Sequence, residues 1–409
     1  MSKVLVVGGG AAGLMAAGYA AQKGNDVTII ERNERSARKV MITGKGRRNV
    51  TNKCDSVQDI ISNFPVNGRF LFSALNSFMP ADTIAFFESA GIKLKVERGN
   101  RVFPVSDKAV DIVDALTDFA LSNGARIIHA RAKELIIENS AVKGIITFDN
   151  EKLIADRVLI STGGLSYPQT GSTGDGYEMA KQAGHEIIEP MPSLVPLVAH
   201  EGFCADIQGL SLKNVEIRVI DTKNNKIIFT DFGEMLFTHF GVSGPIILSA
   251  SSHMREMSKG RYVIYIDLKP ALTAEQLDTR VLRDFSENLN RNFINSLNSL
   301  LPKKLVPVIV KLSGIRPSEK TNQVSKEERH RLIELLKGLK VTVNGFRPIR
   351  EAIVTSGGVK TSEINPKTME SKLVKGLYFA GEVIDVDAYT GGFNLQIAFS
   401  TAKLAGENI

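Results

Sequence analysis

Long apolar runs are missing from this chain: no uninterrupted stretch reaches the roughly 18 residues a membrane span needs, so a membrane partner is not expected. Low-complexity tracts and internal repeats are missing too. With 43% hydrophobic and 23% charged residues, the chain is expected to fold throughout. The first strand-like run begins by Lys3, which leaves no room for a secretory leader, and a cytoplasmic location is the expectation. Cysteine is scarce. Cys54 and Cys204 lie far apart and form no Cys-x-x-Cys pair, which argues against a disulfide framework and against a dithiol relay. Redox work would have to come from a bound cofactor, and no metal site is expected.

At 409 residues the chain exceeds what one hydrophobic core usually organises, so two or three domains are expected. The net charge of +7 is uneven: between Asn298 and Arg350 stand twelve Lys or Arg against four Glu. A solvated helical face is the ordinary reading. An anionic substrate, the phosphate of a nicotinamide cofactor or RNA is the alternative, with nucleic acid the less expected partner.

Lys3 to Val7 reads as a strand, Ala11 to Lys23 as an Ala-rich helix and Asp26 to Ile30 as a second strand, a β-α-β unit. Val110 to Leu121 has helical spacing (Ile112, Leu116, Phe119, Ala120) and ends at Asn123-Gly124. From Ala125 to Ile160 the period becomes strand-like, giving a three-stranded meander that feeds a strand at Arg157 to Ser161. Pro190, Pro192 and Pro196 then change the texture, since proline cannot continue a helix or sit in a central strand. Strands at Val215 to Ile220, Ile227 to Thr230 and Tyr262 to Leu268 follow, then a helical stretch from Thr273 to about Leu339. After Gly345 the strand-and-glycine style returns, with a strand at Leu377 to Ala380 and a helix at Leu395 to Ala405. The domain reading is therefore 1–190 and 346–409 as two pieces of one nucleotide-binding domain, interrupted by 191–345, β-rich to 270 and helical from 271.

Gly8-Gly9-Gly10-Ala11-Ala12-Gly13 fits G-x-G-x-x-G, with a strand before it, a helix after it and Glu31 ending the next strand. Gly8 permits the tight turn, Gly10 lets the backbone approach a pyrophosphate, and Gly13 allows close helix packing. The phosphates then meet unsatisfied N–H groups at the helix start, beside Ala11 and Ala12. Glu31, followed by Arg32, can accept hydrogen bonds from both adenosine ribose hydroxyls.

FAD and NAD share this grip. Gly376 to Glu382, followed by Asp385 and Thr390 to Gln396, favours a flavin. A strand ending in Gly381-Glu382 can place the acid on ribityl hydroxyls or near phosphate. A helix starting near Gly391, Gly392, Asn394 and Leu395 can aim its positive end at the flavin N1–C2=O edge. Thr162-Gly163-Gly164, followed by Thr173-Gly-Asp-Gly176, lets a loop pass close to the cofactor or serves as plain loop chemistry. In the cationic stretch Arg38-Lys39 to Asn52, Gly44 and Gly46 permit close backbone approach. There Arg38, Lys39, Arg47 or Arg48 can neutralise the pyrophosphate, or form a solvated surface loop.

Together, Gly8 to Gly13, Lys39 to Asn52, Thr162 to Gly176, Gly233 to Pro245 and Ala380 to Gln396 resemble the BaiN/YhiN-type NAD(P)/FAD-dependent oxidoreductases, also labelled the aminoacetone oxidase family. The resemblance covers nearly the whole chain. It implies an α/β fold: a glutathione-reductase-like, Rossmann-type FAD-binding domain interrupted by an inserted β-rich plus helical domain. It implies cofactor contacts that also include Asn49 and Ala132. More distantly the chain is similar to fumarate reductases and ketosteroid dehydrogenases. One departure is visible: where the family usually reads Gly-Arg-Cys-Asn, this chain has Gly46-Arg47-Arg48-Asn49. Reactions attributed to the family include amine oxidation and enone reduction.

The expected activity is FAD-dependent oxidoreduction, with FAD held noncovalently, NAD(P)H as transient donor and a small organic molecule as substrate. His239, Tyr167 and Tyr389 are the candidates for proton transfer, each with a purely structural role as the rival reading. An RNA-associated flavoprotein, related to tRNA-modifying enzymes, and a flavin-binding module without turnover are the alternatives.

Overall fold

The computed structural model of the chain describes all residues other than Gly44, Lys45 and Asn288. Two compact units result: Met1–Ser193 with Pro348–Ile409, and Leu194–Arg347.

The first unit is built on a parallel sheet of five strands: β1 (Lys3–Val7), β2 (Asp26–Glu31), β3 (Arg126–His129), β4 (Arg157–Ile160) and β5 (Leu377–Phe379), in the order β5-β4-β1-β2-β3. β1 reads Lys-Val-Leu-Val-Val and is buried from Val4 onward, as a strand covered on both faces must be. Helix α1 (Ala11–Gln22) is rich in alanine and glycine, which lets the helices Ala109–Ser122 and Phe393–Asn408 both pack close on it. This is the expected α/β class. The meander is Ala132–Glu138, Ala141–Thr147 and Lys152–Ile154, while Arg126–His129 extends the parallel sheet instead.

Pro190 and Pro192 lie inside a strand, Ile187–Ser193, which pairs antiparallel with Val354–Val359. The reason is topological. The sheet has two strands, so Ile187–Ser193 is an edge strand, and the register shifts between Ile188 and Met191, where proline's missing N–H does least harm.

The second unit is a closed six-stranded barrel in the order Leu197–Ala199, Gly241–Ser243, Lys226–Thr238, Ser211–Asp221, Tyr262–Asp267 and Leu339–Phe346. Alternate residues such as Ile217, Val219, Met235 and Phe237 fill its interior. The expected helical stretch is broken into pieces, chiefly Ala274–Ser286, Val306–Ser313 and Lys326–Lys337. Pro302, Pro317 and the left-handed Gly314 stop propagation between them. Thr273 with Gln276, and Ser325 with Glu328, form capping boxes that fix two of the starts. Part of the basic run is neutralised locally, Arg329 on Asp278 at 2.6 Å and Lys337 on Asp267 at 2.5 Å. Among the described residues no single helix is long and apolar enough to cross a membrane.

Candidate dinucleotide site

The carboxyl ends of β1, β2, β4 and β5 border one cleft in the first unit, with about 1290 Å³ of empty volume including its open mouth. Parallel sheets bind ligands in this position because the strand ends and the helix starts meet there. Gly8 has φ +102°, and at Gly10 a Cβ would have only Ser161 O within reach, at 4.0 Å, so the main chain is open to an approaching group. Gly13 is the reverse case. A Cβ there would lie 1.9 Å from Gly8 O, and α1 can pack this close to β1 only through glycine. Ala11 and Ala12 carry the N–H groups of the helix start to the cleft wall.

Glu31 is buried, 6% exposed. Its Oε2 accepts from Gly9 N at 2.9 Å, and its Oε1 accepts from Asn33 N at 2.8 Å and Asn33 Nδ2 at 2.7 Å. A carboxylate offers about four acceptor positions, so one ribose hydroxyl fits directly and a second requires the Asn33 amide to swing away. Arg32 donates to Thr173 Oγ1 at 2.8 Å and Arg38 to Asn33 Oδ1 at 3.0 Å, both at the cleft wall. Ala132 lines the same end beside Arg131, whose guanidinium grips Asp175 with two bonds of 2.8 Å. Burial alone would raise the Asp175 pKa, but Arg131, with Thr173 and Arg32, holds the carboxyl below its ordinary range.

Beyond β1, on the β5 side, Lys39 Nζ donates to Glu382 Oε1 at 2.8 Å, to Oε2 at 2.6 Å and to Ser166 Oγ at 2.6 Å. Burial lowers the Lys39 pKa, with Glu382 opposing the shift. Glu382 also accepts from Ser166 Oγ at 3.0 Å and Thr355 N at 2.9 Å, so the acid expected on ribityl hydroxyls is largely engaged by the protein. Thr162, Gly163, Gly381, Asn394 and Leu395 line the cleft as well. Asn394 anchors its own turn, bonding Ala388 N and O at 3.0 and 2.8 Å.

Other expected residues stand behind the wall or away from it. Gly164 packs on the Thr355 side chain, and a Cβ at Gly392 (φ +100°) would lie 2.4 Å from Thr51 C, so Gly392 serves close packing of the C-terminal helix on the strand Thr51–Asn52. Gly391 accepts from Asn52 Nδ2 at 3.2 Å. Gly46 and Asn49 do not line the cleft, and Gly44 lies outside the described residues. Arg47 turns away to Glu97 and Asp107 at 2.6 and 2.7 Å, over the Phe103 ring. Its neighbour Arg48 lines the cleft instead.

None of the three proton-transfer candidates lines this cleft among the described residues. Tyr167 has φ +53°, sits 5.9 Å from Lys39 Nζ and has its pKa raised by burial. Tyr389 N donates to Asn63 O at 3.0 Å. His239 is exposed in the turn after Lys226–Thr238 of the second unit, edge-on to Phe240. Sequence reasoning passed over Asn33, Arg131, Ser166, Asp175 and Thr355. Only Asp175 had a signal, its place in the Thr-Gly-Asp-Gly helix start.

Among the described residues of the first unit, four buried polar atoms have no protein partner: Thr162 Oγ1, Tyr177 OH, Asn49 Oδ1 and Arg48 Nε. Such atoms are rare in folded proteins. Two of them belong to cleft-lining residues, and with the glycine turn and Glu31 this donor and acceptor set fits a phosphorylated, polyhydroxylated dinucleotide such as FAD.

A glycine-hinged strand–helix turn, answered across the sheet by a buried acid, defines a Rossmann-type dinucleotide-binding protein. The match to the HI0933-like protein Rossmann domain extends over residues 2–408, and the chain belongs to that family. It is 31% identical over 417 residues to the 3-dehydro-bile acid delta(4,6)-reductase of Clostridium scindens, covering 99% of this chain and 98% of the relative. It is 32% identical over 405 residues to the ribosomal RNA dihydrouridine synthase of Escherichia coli, covering 99% and 97%. Among solved structures, the 3-ketosteroid delta1-dehydrogenase of Sterolibacterium denitrificans shares the fold, with TM-score 0.51, 12% identity and 99% of each chain covered.

Proposed function

We propose that this protein is an FAD-dependent reductase that passes hydride from NAD(P)H to a carbon–carbon double bond conjugated to a carbonyl. The observation that carries the reading is the full-length similarity to two relatives whose names share one chemistry. A delta(4,6)-reductase of a 3-oxo steroid saturates such double bonds, and dihydrouridine is uridine with the double bond beside its carbonyl saturated. This favours enone reduction over amine oxidation. The flavin, when bound, supplies the hydride chemistry. The chain's own residues would hold it: the α1 start the pyrophosphate, Glu31 a ribose hydroxyl, and Lys39 and Arg48 the β5 side of the cleft. Among the described residues lining the cleft there is no His, Cys or Tyr to serve as a covalent anchor, so the flavin is read as noncovalent.

A small organic substrate is the first reading. Ribosomal RNA is the second, favoured by the name of the Escherichia coli relative and by the basic run of residues 298–350. One experiment separates them. Acid-released flavin is identified, then the loaded protein is reduced anaerobically with NADH or NADPH and offered conjugated enones in one arm and unmodified ribosomal RNA in the other. Gain of two hydrogens by either acceptor supports the reading and chooses the substrate. Release of FMN, flavin retained on the denatured chain, or no saturation of any acceptor would overturn it.

A further inference from the structure

Arg48 stands where the resembled family usually has cysteine, and it is a cleft-wall cation with little compensation. Its NH1 donates to Thr43 Oγ1, while its buried Nε has no partner. A guanidinium carries five N–H donors in a planar fork, so much of its capacity is unspent. The carboxylate near it is Glu382, which Lys39 already holds with two short bonds. Two cations therefore share one carboxylate. Burial pushes the Arg48 pKa down to about 10 despite the attraction of Glu382 and Tyr167.

Chain geometry says which end of the cleft Arg48 serves. In the sheet order β5-β4-β1-β2-β3, Glu31 ends β2 and Arg131 follows β3, whereas Glu382 follows β5 on the other side of β1. Arg48 has φ +51°, and two residues on, Val50 N bonds Val102 O at 2.8 Å, which leads the chain into Thr51–Asn52. Thr51 lies beneath Gly392 at the start of the C-terminal helix. Arg48 thus belongs with Glu382 and that helix start, across β1 from the ribose acid.

Resting on the FAD reading above, we propose that Arg48 is the contact for the negative charge that develops on the N1–C2=O edge of the isoalloxazine ring. A fixed cation in a water-poor wall stabilises such charge without reorganising. Arg48 is a cofactor-tuning residue in this assignment, and the substitution for cysteine makes the flavin of this chain more readily reduced.

Sulfite tests this without turnover. Its sulfur lone pair forms the S–N5 bond, and the negative charge moves to the N1–C2=O edge, so affinity reports the positive charge beside that edge. The FAD-loaded full chain is titrated with sulfite as wild type, R48M, R48C and R48K, following loss of the visible flavin absorbance. R48M and R48C should each raise the sulfite Kd about tenfold or more, while R48K stays within about threefold. Either neutral variant decides the comparison if the other fails to fold. Equal sulfite affinity in wild type and a neutral variant would overturn the assignment. Loss of FAD from a folded neutral variant would also overturn it, by moving Arg48 to a phosphate. A wild-type chain that binds no FAD would instead sink the functional reading itself.

Discussion

Lys39 and Glu382, 343 positions apart, meet with Nζ 2.6 and 2.8 Å from the two carboxylate oxygens. The bond ties the short helix after β2 to the turn after β5, so both sequence pieces of the first unit are stapled at the cleft. The two side chains keep 22% and 20% exposure, so the pair is worth less than a fully buried one. K39M is expected to lower the unfolding free energy by about 1.5–3 kcal/mol, leaving Glu382 on Ser166 and Thr355 N alone. The K39M/E382M double variant should lose less than the sum of the singles. Urea denaturation of the four proteins measures this, and strict additivity would show that the residues are not coupled.

Removing Glu31, the proposed ribose acceptor, should weaken the cofactor grip. E31A is expected to raise the FAD Kd by about 10- to 100-fold, or about 1.5–3 kcal/mol for hydrogen bonds to a charged group. G13V should do more harm, because its side chain would begin 1.9 Å from Gly8 O and force α1 off β1. Fluorescence titration of apoprotein with FAD reads both, and unchanged affinity in the pair would place the pyrophosphate elsewhere.

Electron entry should follow ping-pong kinetics. The sequence carries one G-x-G-x-x-G, at Gly8–Gly13, and Gly171 to Gly176 has the reversed spacing. A nicotinamide without its own β-α-β unit is expected to bind weakly and leave before the substrate enters. Initial-rate plots should be parallel; intersecting lines, or a ternary complex found by equilibrium binding, would count against this order.

His185 should make stability pH-dependent. Its Nδ1 faces Glu363 at 3.1 Å and its Nε2 faces Ser371 Oγ at 2.8 Å. Ser371 Oγ accepts from Leu373 N and Val374 N, so its own hydrogen is free to go to Nε2, which must then be unprotonated. Burial lowers the His185 pKa, Glu363 opposing. The folded chain therefore resists a proton that the unfolded chain accepts near its ordinary value of about 6.5. This contribution to stability is complete above that pH and is lost as pH falls toward the depressed folded value. H185Q should lose less melting temperature than wild type between about pH 7 and pH 5, read by calorimetry; parallel losses would exclude His185 as the titrating group.

The β1-α1-β2 unit was legible because strand and helix periods there are uninterrupted and Glu31 falls at the strand's end. The helix Ala109–Ser122 was legible for the same reason, its Ile112, Leu116 and Ala120 recurring on one buried face. The region between Asn52 and Arg101 was not. Its helices Val57–Ile61, Phe72–Ser77 and Pro80–Ser89 are too short to establish a period. Barrel closure was hidden because it rests on pairings such as Leu197 with Phe346, distant in sequence. Arg47 and Arg48 could not be told apart since the left-handed turn at Arg48 follows neither period. The partners of Glu382 come from three separate segments, and no local pattern announces them.

The strands Ile187–Ser193 and Val354–Val359 run side by side, with Ser193 paired to Val354, and everything between Leu194 and Arg347 leaves and re-enters through that one doorway. In the second unit the same threshold closes with Arg347 N on Pro196 O at 3.0 Å. Joining Ser193 to Pro348 would turn the two strands into an ordinary hairpin whose loop is Pro348–Ile353. The second unit is therefore built as a cassette. A chain that lost everything from Leu194 to Arg347 would still hold the glycine turn, Glu31 and the Lys39–Glu382 staple, since all of them lie in the two pieces of the first unit.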